Sequence, residues 1–134
     1  MESTALPTEL TVLAWSVVLL LVHVVVQTLS LVKDGGLTYA MSNRNGEVAI
    51  SLLTDRLTRG LRNFAETYGA FVGLALALAV TDKTGGLGTA GALVWFWARV
   101  VYVPIFAAGI PVLRTGVWTV SVIGLVMMLI RLLS

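Results

Sequence analysis

The sequence predicts an all-α integral membrane protein, a bundle of four transmembrane helices. Three observations predict it. Hydrophobic residues make up 57% of the 134-residue chain and charged residues 12%, with a mean hydropathy of +0.93, too little polar surface for a soluble domain of this length. Apolar runs of membrane length occur four times, joined by short connections. Within two of those runs, polar residues recur at offsets of three and four, the helical period.

The same composition removes several function classes. The net charge is +2 with no basic run and no interleaved basic–aromatic patch, so no nucleic-acid partner is expected. Cysteine is absent, which excludes disulfides, thiolate metal sites and a cysteine nucleophile; any thiol has to arrive with a ligand. The single histidine, His23, has no metal-ligand spacing around it, so no metal site is expected. Met1 to Glu9 carries Glu2 and Glu9 without Lys or Arg, unlike the basic start of a cleaved signal.

The first helix is placed at residues 8–32. Pro7 suits a first-turn position, where its missing N–H is harmless. The polar residues of this run include Ser16, His23, Gln27 and Ser30; His23 and Gln27, four apart, share a face expected to pack on another helix. Lys33-Asp34-Gly35-Gly36 is expected to end the helix. A polar loop follows through Tyr39 and Ser42-Asn43-Arg44-Asn45-Gly46, with Asn45-Gly46 as a turn signal.

The second helix is placed at residues 52–81, with polar first turns projecting from the hydrocarbon. Gly69 and Gly73 make a G-x-x-x-G step, which lets helix backbones approach closely, within or between subunits. Asp82-Lys83-Thr84-Gly85-Gly86 is a turn. The third helix is placed at residues 88–108; Pro104 is expected to kink it or end its regular part. Gly109-Ile110-Pro111 turns the chain into the fourth helix, residues 111–133. Trp95, Trp97 and Trp118 are expected to line the membrane interfaces or lipid rather than a substrate site. No internal repeat or low-complexity linker divides the chain, so one domain is expected.

Charge sets the orientation. Lys33, Arg44, Arg56, Arg59 and Arg62 flank the first connection and Arg114 the third, whereas the opposite side has Lys83 and Arg131 with Glu2 and Glu9. Positive-inside logic puts both termini outside and the arginine-rich end in the cytoplasm.

That end carries the chemistry. Arg56, Arg59, Asn63 and Glu66 lie at offsets of three, four and three, one stripe on one helix face; Arg62 lies beside it, four residues before Glu66. Arg99, Tyr102 and Phe106 repeat the pattern on the third helix. Ionisable groups at mid-bilayer cost roughly 2.5–3.5 kcal/mol each on insertion scales, so something offsets them. A structural Arg99–Glu66 pair is one reading. An anionic ligand is the other, favoured because Glu66 and Asp55 are too few to neutralise the arginines. Arg114 is either a snorkelling anchor or a cation that stabilises a ligand's thiolate.

These residues resemble a known family. Arg56-x-x-Arg59-Gly60-x-x-Asn63-x-x-Glu66 is similar to the R-x-x-R-A-x-x-N-x-x-E signature of the MAPEG family, the membrane-associated proteins in eicosanoid and glutathione metabolism, with Gly60 in place of alanine. The segment from Ala98 to Thr115 resembles the family's third-to-fourth helix region, and Asn43-Arg44-Asn45 its first loop. The likeness covers nearly the whole chain. It implies a homotrimer with glutathione bound between subunits near the cytoplasmic side. By position, Arg59, Asn63 and Glu66 would hold glutathione, with Arg56 and Arg62 nearby and Arg99 and Tyr102 contributed by the neighbour. Arg114, followed by Thr115, falls where the family has its thiol-activating arginine. Phe106 stands where eukaryotic members often place tyrosine, so one hydrogen bond to the ligand is lost. The implied function is a glutathione transferase or peroxidase acting on lipophilic electrophiles in a bacterial inner membrane; the alternative is a non-catalytic scaffold or an accessory subunit of a larger membrane complex.

Overall fold

The computed structural model describes residues 5–41 and 51–134. Glu2, Asn43-Arg44-Asn45 and the Asn45-Gly46 turn signal lie outside the described residues. The described residues form four helices, α1 (Thr8–Met41), α2 (Leu52–Val80), α3 (Gly86–Ala108) and α4 (Pro111–Leu133). Each is long and apolar enough to cross a membrane.

The first helix breaks where the Lys33-Asp34-Gly35-Gly36 signal is expected to end it, and the departure from expectation is the short helical piece that follows to Met41 in place of a loop. The backbone leaves helical geometry at Gly36 (φ 83, ψ 163), so α1 is two helices joined across a kink. Glycine accepts this φ without the Cβ clash that other residues meet. Asp34, within that stop signal, also serves α2. Its Oδ2 accepts from the Ser51 N–H at 2.7 Å and from Thr54 Oγ1 at 2.5 Å, while Ser51 caps α2 by accepting from the Thr54 N–H.

α1 and α2 pack antiparallel through a ladder of polar contacts. Ser16 Oγ meets Tyr68 Oη at 2.9 Å, Gln27 Nε2 donates to Thr58 Oγ1 at 3.1 Å, and Ser30 Oγ meets Thr54 Oγ1 at 2.5 Å. His23 is buried edge-on against Phe64, at 5.8 Å between ring centroids. The His23–Gln27 face thus packs on α2. Hydroxyls and amides that pair across helices are cheaper in hydrocarbon than ones left alone.

Trp95 corrects the expectation of an interfacial tryptophan. It is fully buried, stacked on Phe71 with ring centroids 3.9 Å apart, and joins Phe64, Ala75, Leu78 and Met128 in the core. The stack is worth about 0.5–1.5 kcal/mol beyond its buried area. Trp97, two residues on, is 59% exposed, where a membrane-facing tryptophan belongs.

α3 and α4 approach closely at Gly91 and Gly124. A Cβ on Gly91 would sit 2.5 Å from the Gly124 carbonyl oxygen, and one on Gly124 would sit 2.7 Å from the Gly91 oxygen. The buried residues of α4 are Ser121, Gly124 and Met128, one narrow stripe at offsets of three and four. By contrast, among the described residues nothing lies within 4 Å of a Cβ built on Gly69 or Gly73. The G-x-x-x-G step is not used between these four helices.

α3 does not stop at Pro104; it runs on to Ala108 and ends in Gly109, left-handed at φ 74. Pro111 then occupies the first turn of α4. The other end of the bundle is tied by side chains. Glu9 is fully buried and accepts from the Gly85 N–H and from Thr89 Oγ1, both at 2.8 Å, which places a carboxylate on the N-terminus of α3. Lys83 donates to the Leu132 carbonyl and Arg131 to the Lys83 carbonyl.

Candidate functional site

The arginine-rich stripe of α2 divides by depth. Asn63 points inward to α3, where its Oδ1 accepts from Arg99 Nη1 at 2.9 Å. Arg59, Arg62 and Glu66 face outward. Arg59 is bonded to Asp55 at 3.1 Å, an i,i+4 pair whose arginine is 68% exposed. A pair in that setting is worth about 0.3–0.5 kcal/mol, so a ligand carboxylate can displace it at little cost. It is the one salt bridge among the described residues, so neither an Arg99–Glu66 nor an Arg62–Glu66 pair forms.

Arg99 is the unusual group. Its side chain is fully buried, yet only one of its nitrogens is bonded: Nε and Nη2 have no partner. Its guanidinium lies over the Tyr102 ring at 4.2 Å and the Phe64 ring at 5.2 Å. Ring faces offset part of the cost of a buried cation. They do not replace the hydrogen bonds that a desolvated guanidinium needs.

Beside this group is a cavity of about 220 Å³ lined by Asn63, Tyr102, Phe106, Arg114, Thr115 and Trp118. It brings α2, α3 and α4 together around polar groups from each. Arg114 is half-buried in the first turn of α4, its guanidinium 5.1 Å from the centre of the Phe106 ring. A second cavity of about 210 Å³ lies on the other side of Phe106 and Arg114 and is walled by Asp55, Arg56, Arg59, Gly109 and Pro111. Arg114 therefore stands between a partly open polar space and an arginine-lined one.

This constellation of four spans, an R-x-x-R-x-x-x-N-x-x-E face and an arginine at the start of α4 is matched by one family model, MAPEG, over residues 9–134. The chain belongs to the MAPEG family. Comparison with curated proteins and with solved structures found no match. MAPEG is a membrane family that includes glutathione transferases and related proteins.

Within this MAPEG chain the sequence-derived residues separate into three groups. Asn63, Tyr102 and Arg114 line the cavity of about 220 Å³, and Arg99 lies behind it, bonded to Asn63 and set over the Tyr102 ring. Arg59, Arg62 and Glu66 stay on the outer face of α2, in line with the unused Gly69–Gly73 step. Arg56 turns away to the end of α3, where its Nη1 donates to the Ala107 carbonyl at 3.2 Å. Trp118 lines the cavity rather than serving only as a lipid-facing residue. Its position four residues after Arg114, on the same helix face, is the signal that places it there. Gly60, the departure from the family signature, lies under Phe106 and His23, with room of 3.5 and 3.7 Å for a Cβ.

Proposed function

We propose that this protein is a glutathione-dependent transferase of the membrane, conjugating the tripeptide's thiol to lipophilic electrophiles. The observation that carries the reading is Arg99, a fully buried cation with two free donor nitrogens and no carboxylate in reach among the described residues. A cation kept in that state is suited to an anionic ligand. Glutathione has two carboxylates for arginines and an ammonium for Glu66.

In this reading the chain works as a homotrimer. Arg59, Asn63 and Glu66 hold the tripeptide from one subunit, with Arg56 and Arg62 close by, and Arg99 and Tyr102 contribute from the neighbour. The exposed Gly69–Gly73 step supports a subunit contact along the same face of α2. The site lies at the cytoplasmic face of a bacterial inner membrane, where positive-inside logic puts the arginine-rich end.

Arg114 supplies the chemistry. A free thiol has a pKa of about 8.5, and an adjacent guanidinium lowers it, so more thiolate is present at neutral pH. The thiol proton leaves to water, and the sulfur forms a bond to the electrophilic carbon. That carbon's bond to a leaving group breaks as the sulfur adds, and the group departs with the electron pair. For an activated alkene, the π bond breaks instead and the resulting carbanion takes a proton from water. Orientation by α2 and charge stabilisation by Arg114 are the two sources of rate.

The test is ultraviolet absorbance of bound thiolate, together with conjugation of a model electrophile, in the wild type and in Arg114→Ala. Thiolate and turnover in the wild type, both lost in Arg114→Ala with glutathione still bound, are expected. Absence of binding at millimolar glutathione overturns the proposal. Binding without thiolate or turnover makes the protein a non-catalytic scaffold or accessory subunit.

A further inference from the structure

Arg56 opens the signature stripe of α2, yet its guanidinium is engaged elsewhere. Nη1 donates to the carbonyl of Ala107, one of the last residues of α3. The Gly109 N–H is already used by Ile105 and Phe106, a normal C-terminal cap. The Ala107 carbonyl is left outside that pattern, and helix ends without a partner for such groups are costly when buried. A cation there also complements the negative end of the helix.

The contact is close as well as polar. A Cβ on Gly109 would sit 2.4 Å from Arg56 Cζ and 2.5 Å from Nη2. Gly109 therefore has two reasons to be glycine: a φ of +74 and a guanidinium in the space a side chain would need. Two residues later Pro111 starts α4, and one turn on, the Arg114 N–H closes onto the Ile110 carbonyl at 2.9 Å. The path from Arg56 to Arg114 is short and stiff: guanidinium, left-handed glycine, proline, first helical turn.

We propose that Arg56 is a positioning residue: it clamps the α3–α4 turn onto α2 and thereby sets where the Arg114 guanidinium stands. The assignment rests on the enzymatic reading for its consequence, but not for its geometry. A displacement of about 1 Å at a reacting group can cost about 100-fold in rate. Loss of the clamp is thus read in thiolate formation and turnover, not in affinity.

The experiment has one readout that needs no glutathione. The chain has no cysteine, so Val112→Cys, at a position 85% exposed, takes a single nitroxide label on the first turn of α4. In the reconstituted protein, the label's spectrum is expected to sharpen toward mobility in Arg56→Met and in Gly109→Ala. Arg56→Lys, which keeps a donor but not the planar fork, is expected to fall between them and the parent. Glutathione affinity in Arg56→Met should stay within about twofold, while thiolate absorbance and kcat fall about 100-fold together.

An unchanged label spectrum in both Arg56→Met and Gly109→Ala overturns the proposal. So does an affinity loss of about tenfold with the thiolate signal retained, which marks Arg56 as a ligand contact. If the parent protein forms no thiolate, the enzymatic reading fails, and the label alone upholds or overturns the clamp.

Discussion

Arg99 and Asn63 share one hydrogen bond, Nη1 to Oδ1 at 2.9 Å, and it is the only hydrogen bond to a fully buried guanidinium among the described residues. Removing Asn63 removes that bond and leaves the charge. Asn63→Ala should destabilise the protein by about 1.5–3 kcal/mol, the range for hydrogen bonds to charged groups. Arg99→Met should be neutral or stabilising, because a buried cation gives way to an apolar side chain of similar length. Both should abolish glutathione binding. Thermal unfolding in detergent with and without glutathione checks all of this. A strongly destabilised Arg99→Met would make Arg99 a packing residue.

Glu66 tests the outer face of α2. It is exposed and makes no salt bridge among the described residues. Glu66→Gln keeps the shape and loses the charge, so it should weaken glutathione binding by about tenfold, roughly 1.4 kcal/mol. Assembly, followed by native mass spectrometry, should be unaffected. A variant that falls apart into monomers while still binding the ligand would mean that Glu66 serves the subunit contact alone.

Hydropathy made the helices legible, since each run is about the thickness of a bilayer core and has nowhere else to go. The polar stripe was legible because Arg56, Arg59, Asn63 and Glu66 keep helical spacing. What the spacing could not separate was direction in depth: Asn63 reaches Arg99, Arg59 meets Asp55, and Arg56 reaches Ala107. Each is set by a partner far along the chain. The break at the end of the first membrane run was legible in Gly35-Gly36; the short helix after it was not, because the residues from Leu37 to Met41 read as loop. Trp95 was read as interfacial because composition cannot tell a core tryptophan from a belt tryptophan; Phe71 decides it.

Glu9 was legible only as a charge near one terminus, and the structure gives it a specific task. Its two oxygens take the Gly85 N–H and the Thr89 hydroxyl at the start of α3, where Gly85 offers no side-chain cap of its own. Glu9→Ala should cost about 1–3 kcal/mol in stability. Glu9→Gln keeps an acceptor and should lose less. Hydrogen exchange at the first turn of α3 should rise in Glu9→Ala, and unchanged exchange there would dismiss the capping role.

Two glycine-to-alanine changes should move stability in opposite directions. Gly60 lies inside α2, and a Cβ there finds Phe106 at 3.5 Å and His23 at 3.7 Å, ordinary contact distances. Alanine restores the residue of the family signature and removes the entropic cost of glycine in a helix. Gly60→Ala should therefore stabilise by about 0.5–1 kcal/mol. Gly91 has the same helical backbone but no such room. Its Cβ would meet the Gly124 carbonyl at 2.5 Å, and Met127 and Met128 at 2.9 Å. The Met128 Cγ can move aside by a rotamer change; the Met127 Cβ and the Gly124 carbonyl are fixed to the backbone of α4, so α3 and α4 must separate. Overpacking of this kind costs about 1–3 kcal/mol. Because α4 also carries Arg114, Gly91→Ala should reduce turnover as well, while Gly60→Ala leaves it intact. Melting temperatures and conjugation rates for the two variants, measured in the same detergent, decide it: equal signs for the two stability changes would mean that the close α3–α4 approach at Gly91 and Gly124 does not govern the packing of the bundle.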